Sequence, residues 1–79
     1  MQKRSLTIHG HRTSISLEEP FWMALNDIAK ARQQSVASLV QMIDKDRVGG
    51  LSSAIRVFIL AELRHQLAAS TTIKTRQIF

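Results

Sequence analysis

Residues 12–18 read Arg-Thr-Ser-Ile-Ser-Leu-Glu, and this alternation constrains the fold more than any other part of the chain. In an extended strand Ile15 and Leu17 point to one face, and Arg12, Ser14 and Ser16 to the other. The polar face carries a guanidinium and two hydroxyls, groups that hydrogen-bond to base edges and phosphates, and no acid precedes Glu18. Directly after it the spacing turns helical and stays so almost to the end. A single strand followed by helices makes an awkward monomer, because both strand edges are left unpaired. A second copy of the chain removes that difficulty, so the strand is expected to pair with its twin and to lie in a DNA groove.

The totals agree with a partner. Seventy-nine residues form one small domain, and a domain of this size usually needs a staple or an oligomeric contact. Cysteine is absent, which excludes disulfides and thiolate metal sites and leaves oligomerisation as the staple. A formal charge of +5 and a sequence pI of about 10.9 make a polyanion a sensible first partner. No apolar run approaches a membrane span. Lys3 and Arg4 are not followed by the hydrophobic segment of a signal peptide. A cytoplasmic protein with no membrane partner is expected.

Taken in order, residues 1–4 read as a frayed basic arm, and residues 5–8 alternate as a strand with Leu6 and Ile8 on its apolar face. If the chain ran straight on, that face would be opposite to the face of Ile15 and Leu17. A two-residue turn at His9 and Gly10 sets Ile8 across from His11 and Leu6 across from Thr13, which brings all four apolar residues to one side. A β-bulge at Gly10 would switch the parity too, within one bent strand; the hairpin is the favoured reading. In a hairpin the strand at 11–17 has one edge covered and the other free for a dimer partner.

Glu18, Glu19 and Pro20 open a first helix, expected over about 19–33, where acids suit the positive dipole end and Pro suits a first turn. Phe21, Trp22, Leu25, Ile28 and Ala29 form its apolar stripe. Ser35 is a good N-cap for a second helix, about 35–45, although Ser38 lacks the carboxylate or amide of a full capping box. Residues 46–50 make a turn around a Gly pair. A third helix, about 52–68 and capped by Ser52 or Ser53, carries Ile55, Val57, Phe58, Ile59, Leu60, Leu63 and Leu67. These cover more than half its circumference, so it must pack inside something, most simply the second subunit. The domain is expected over 1–68, with 69–79 a mobile tail ending in the apolar pair Ile78 and Phe79.

Strand, first helix and second cap together resemble the ribbon-helix-helix family, the Arc/MetJ-type repressors. The pieces are residues 13–20, then 21–32, then the capped opening Gln34-Ser35-Val36-Ala37-Ser38-Leu39-Val40, with the family's spacing from Leu17 to Ser35. The longer layout, 4–63, is similar to a bacterial subgroup with an added first strand and a Gly-bounded Leu-Ser-Ser-Ala-Ile-Arg helix. The resemblance implies a mainly α fold with a short β ribbon, an intertwined dimer whose two strands enter the major groove. It implies Arg12, Ser14 and Ser16 as base readers, and Ser35 with the N–H groups of Val36 and Ala37 as a phosphate clamp. The clamp also makes physical sense alone, since a helix start has free donors and a positive dipole end. Lys3 and Arg4 on the basic arm join as phosphate contacts.

The chain departs from the family pattern in three places. Gln33 stands where Gly is common, which implies a tighter or less left-handed turn; Ala37 and Ser38 replace a usual Ser and Glu; and the third helix is additional. Other residues take plainer roles. Phe21 and Trp22 are core, not a base-stacking platform. His9, His11 and His65 have neither a Cys nor a third ligand beside them, so no metal or other cofactor is expected. The serines at 35, 38, 52 and 53 sit in no nucleophile sequence and have no evident base, so no enzyme is expected. The expected function is a homodimeric transcriptional repressor acting on double-stranded DNA at a short palindromic operator, with stacking into tetramers left open. The alternative is an antitoxin-like or adaptor module that binds another protein through residues 52–79.

Overall fold

In the computed structural model the elements run β1 (Gln2–Ile8), β2 (His11–Leu17), α1 (Glu19–Ala31), α2 (Val36–Lys45) and α3 (Leu51–Ile78). The structure describes residues 1–78, with side chains described through Ala69. The side chains of residues 70–79, Ile78 and Phe79 among them, lie outside the described residues.

β1 and β2 form an antiparallel hairpin in which Ile8 pairs with His11, Leu6 with Thr13 and Gln2 with Leu17. The connection is the two-residue turn, not the bulge. His9 and Gly10 both take left-handed angles, φ 51° and 79°, the pattern of a type I′ turn whose twist matches the strands. Histidine adopts that angle at some cost, and two contacts from α2 offset it. The His9 backbone N–H donates to Gln41 Oε1 at 3.1 Å, and His9 Nε2 stands 3.4 Å from Asp44 Oδ2.

β1 begins at Gln2, so the expected frayed arm is paired strand. The Trp22 indole N–H donates to the Gln2 carbonyl at 3.0 Å. The Arg4 guanidinium lies over the Trp22 ring at 5.0 Å, donates to Gln2 Oε1 at 2.8 Å and stands 3.9 Å from Glu19. Even positions of β1 and odd positions of β2 therefore face inward. Ile8, Ile15 and Leu17 are buried there against Trp22, Leu25, Ile28 and Ala29 of α1, Leu39, Val40 and Ile43 of α2, and Ile55 and Ile59 of α3.

α1 ends at Ala31, two residues earlier than the spacing predicts. The Gln33 N–H donates to the Lys30 carbonyl and the Gln34 N–H to the Ala29 carbonyl, the paired bonds of a Schellman ending. That ending needs a left-handed residue, and Gln33 supplies it at φ 57°. The turn is thus fully left-handed although no glycine stands there. Ser35 then caps α2 as expected, its Oγ accepting from the Ser38 N–H at 3.0 Å.

α3 differs at both ends. Its first helical bond runs from the Ala54 N–H to the Gly50 carbonyl, so Gly50 sits at the cap and Ser52 and Ser53 are inside the helix. It continues past residue 68 to Ile78, since no Gly or Pro interrupts residues 51–78. Among its described side chains, only one side of α3 is satisfied by its own chain. Ile55 and Ile59 are buried, whereas Val57, Leu60, Leu63 and Leu67 are exposed. Two charged clamps fasten the buried side. Arg56 Nε donates to Glu18 Oε1 at 2.9 Å, and Arg32 reaches Glu62 at 3.1 Å while its guanidinium lies 5.3 Å from the Phe58 ring.

Two outcomes are expected in urea unfolding. Gln33→Gly should raise the unfolding free energy by about 0.5–1 kcal/mol, because it removes a left-handed side chain that costs roughly 1–2 kcal/mol and restores part of that as unfolded-chain entropy. Glu18 gives a pH dependence. A hydrogen bond from its own backbone N–H and the Arg56 guanidinium hold its carboxyl below the ordinary range. A lowered folded pKa contributes stability above the unfolded value, and that stability is lost as pH falls through the folded value. Urea midpoints of the chain should therefore drop in acid more steeply than those of Glu18→Gln; equal slopes would contradict the clamp.

Candidate nucleic-acid interface

The hairpin register fixes what its outer face carries. Residues facing inward are Gln2, Arg4, Leu6 and Ile8 with Leu17, Ile15, Thr13 and His11, so the outer face holds three cross-strand pairs: Lys3 with Ser16, Ser5 with Ser14, and Thr7 with Arg12. Ser16 is half-buried and the other five are exposed. The face is made of two cations and four hydroxyls, with no acid. The adjoining acid, Glu18, lies at the corner into α1, bonded to Arg56.

Charge pairing divides the arginines and lysines, with Lys30, Lys45 and Arg64 as well as the two on this face outside the ion pairs among the described residues. Arg4, Arg32, Arg47 and Arg56 each have a carboxylate partner. Among the described residues, Lys3 and Arg12 take part in none of the ion pairs, so the outer face keeps its positive charge available to an incoming anion.

The hairpin also determines where backbone donors point. A two-residue turn makes its flanking residues, Ile8 and His11, a hydrogen-bonded pair, and such pairs alternate with non-bonded ones along an antiparallel ladder. The non-bonded pairs are therefore the three outer-face pairs. The N–H and C=O groups of Arg12, Ser14 and Ser16 point away from β1, along an edge of β2 that no strand covers.

A second cluster of donors lies at the start of α2. The Ser35 Oγ accepts from the Ser38 N–H, which leaves its O–H to donate elsewhere, and the Gln34 side chain donates to Ser38 Oγ at 3.2 Å. Among the described bonds the N–H groups of Val36 and Ala37 have no acceptor. A shallow depression beside them is lined by Asp27, Lys30, Gln34, Ser35 and Val36 among others, so it carries an acid as well as a cation.

The six sequence-derived residues other than Lys3 and Arg4 thus fall in two places, Arg12, Ser14 and Ser16 on the ribbon and Ser35, Val36 and Ala37 at a helix start. Lys3 joins the ribbon face. Arg4 does not, because alternation turns it inward over Trp22. Ser5, Thr7 and Lys30 were not among the expected site residues. Once a turn at 9–10 is accepted, paired positions sum to 19, and that arithmetic alone brings Ser5 and Thr7 opposite Ser14 and Arg12. Lys30 has no comparable signal in the sequence.

His9 faces Asp44, and among the described residues no cluster of three or more His, Cys, Asp or Glu is arranged to hold a metal. No helix among them is long and apolar enough to cross a membrane. No curated protein and no solved structure matches the chain. A family model described as a ribbon-helix-helix domain matches residues 1–63, which spans both strands, α1, α2 and the first half of α3. On that match and this architecture, the chain belongs to the ribbon-helix-helix family, a non-enzymatic family of DNA-binding regulators that typically bind DNA as dimers.

Proposed function

We infer that the chain is a homodimeric, sequence-specific DNA-binding repressor. One observation carries the reading: a polar, acid-free face with two unpaired cations lies on a strand whose outer edge is free. Two β2 strands pair antiparallel along that edge. Full overlap of His11–Leu17 with its twin centres the pairing on Ser14, so Ser14 meets its own copy and Arg12 meets Ser16 of the second chain. Arg12, Ser14 and Ser16 read base edges in the major groove, where a guanidinium suits the paired acceptors of guanine. Lys3 and the α2 start, with Ser35 and the N–H groups of Val36 and Ala37, hold phosphates and supply most of the affinity. Arg4 braces Trp22 instead. A two-fold protein of this kind acts on a palindromic site in the cytoplasm.

A second reading has its own support. Val57, Leu60, Leu63 and Leu67 leave one side of α3 uncovered in a single chain, as a surface for a protein partner would be. Light scattering separates the two: a stable, monodisperse dimer of the chain alone goes with the repressor, and aggregation relieved by another protein goes with the interaction module.

Two further outcomes are expected. Arg12→Ala should weaken binding to a duplex enriched from a random pool by roughly thirtyfold or more, since two copies each lose a bidentate base contact of about 1–3 kcal/mol, and relax the enriched sequence. Ser14→Ala and Ser16→Ala should act in the same direction, more mildly. Equal affinity of Arg12→Ala in a gel-shift titration would remove the ribbon as the reading element. Because the chain has no cysteine, Ser14→Cys reports the pairing directly. Opposed residues in a bonded pair lie about 5.5 Å apart between Cα atoms, within disulfide range. Mild oxidation should link Ser14→Cys into covalent dimers and leave Arg12→Cys unlinked; the reverse would shift the two-fold axis elsewhere.

A further inference from the structure

β1 changes what a paired ribbon looks like. Each β2 already carries β1 on one edge, so two chains joined through β2 present four strands in the order β1, β2, β2, β1. Strands lie about 4.8 Å apart, which sets the axes of the two outer strands about 14 Å apart. A major groove is about 12 Å wide and admits a two-stranded ribbon. The two central strands fit and the outer two do not. Each β1 comes to rest above a groove wall, over the sugar-phosphate backbone.

What β1 offers there matches phosphate chemistry. Lys3, Ser5 and Thr7 are all exposed on the outer face, one cation and two hydroxyls with no carboxylate among them. As members of the non-bonded pairs, their N–H groups point out from the uncovered edge of β1. Side chains and amides together make a row of donors along one side of the sheet, repeated on the other by the two-fold axis. Phosphate contacts of this sort set register and affinity without reading sequence.

We propose that β1 is a phosphate-gripping rail, in which Lys3, Ser5 and Thr7 hold the two backbones flanking the groove that the β2 strands enter. The proposal rests on the dimeric ribbon reading above. It assigns separate tasks to the strands of one hairpin, β2 to preference and β1 to grip.

The test measures binding of the full chain to an enriched duplex and to a scrambled one across a salt series. Lys3→Ala should flatten the dependence of log K on log salt by about 2, as two copies each lose one neutralised phosphate at about 0.9 per contact. Lys3→Arg should keep the original slope. The double variant Ser5→Ala with Thr7→Ala should weaken both duplexes several-fold alike, and Thr7→Ser should bind as the unaltered chain does. Circular dichroism and light scattering check that each variant keeps its fold and assembly. An unchanged slope in Lys3→Ala with unchanged affinity in the double variant would overturn the rail while Arg12→Ala still lost its preference, leaving the ribbon reading intact. A double variant that enriches a different sequence would overturn it too, because β1 would then be inside the groove. If the unaltered chain shows no salt-dependent binding to any duplex, the ribbon reading falls and the rail with it.

Discussion

The two-residue turn at His9 and Gly10 is the constraint on which the other features rest. Without it Leu6 and Ile8 would face away from Ile15 and Leu17, and neither strand would have a consistent inner side. With it, Ile8, Ile15 and Leu17 close the core over α1, α2 and α3, and every polar outer position is paired with another polar one. A one-residue slip in register would exchange the two faces entirely. The turn is correspondingly well secured, by Gly10 at its left-handed position and by Gln41 and Asp44 behind His9.

Charge is distributed along the same division. Carboxylates are placed on structural arginines: Glu19 beside Arg4, Glu62 beside Arg32, Glu18 beside Arg56, Asp44 beside Arg47. Pairs this exposed contribute modestly to stability, but they remove those acids from competition with an incoming polyanion. Lys3 and Arg12 keep their charge on the outer face of the ribbon, as Lys30, Lys45 and Arg64 do on the helices.

Much of this was readable from residues alone, and the failures have physical causes. Parity plus a glycine narrowed residues 5–17 to a hairpin or a bulged strand, with the hairpin favoured, because side-chain alternation has period two and admits few solutions. The start of β1 was missed since Gln2, Lys3 and Arg4 have no apolar residue among them; what holds them is Trp22, twenty positions on from Gln2, a contact no local pattern encodes. Ser35 announced its cap correctly, whereas the left-handed Gln33 did not, because two backbone bonds of the helix ending impose that angle against its intrinsic preference. Ser52 and Ser53 misled for the opposite reason. Good capping residues lay just after Gly50, whose carbonyl starts the helix two or three residues earlier. The breadth of apolar residues on α3 signalled a partner, yet part of it is answered within the chain by Ile55 and Ile59. On the site, Arg12, Ser14 and Ser16 stood out by alternation, but their companions on β1 emerge only after the register is known.

The fastening of His9 to α2 has a mechanical consequence. α2 is ten residues long, a stiff rod of about 15 Å, with Ser35 ahead of its first turn and Gln41 and Asp44 gripping the hairpin tip further along. The ribbon and the helix start are thereby mounted on a single strut, and neither swings without carrying the other. If ribbon and helix start contact DNA as proposed, a protein built so would have little freedom to adjust its stance and would select double helices whose groove and backbone already lie at the matching separation.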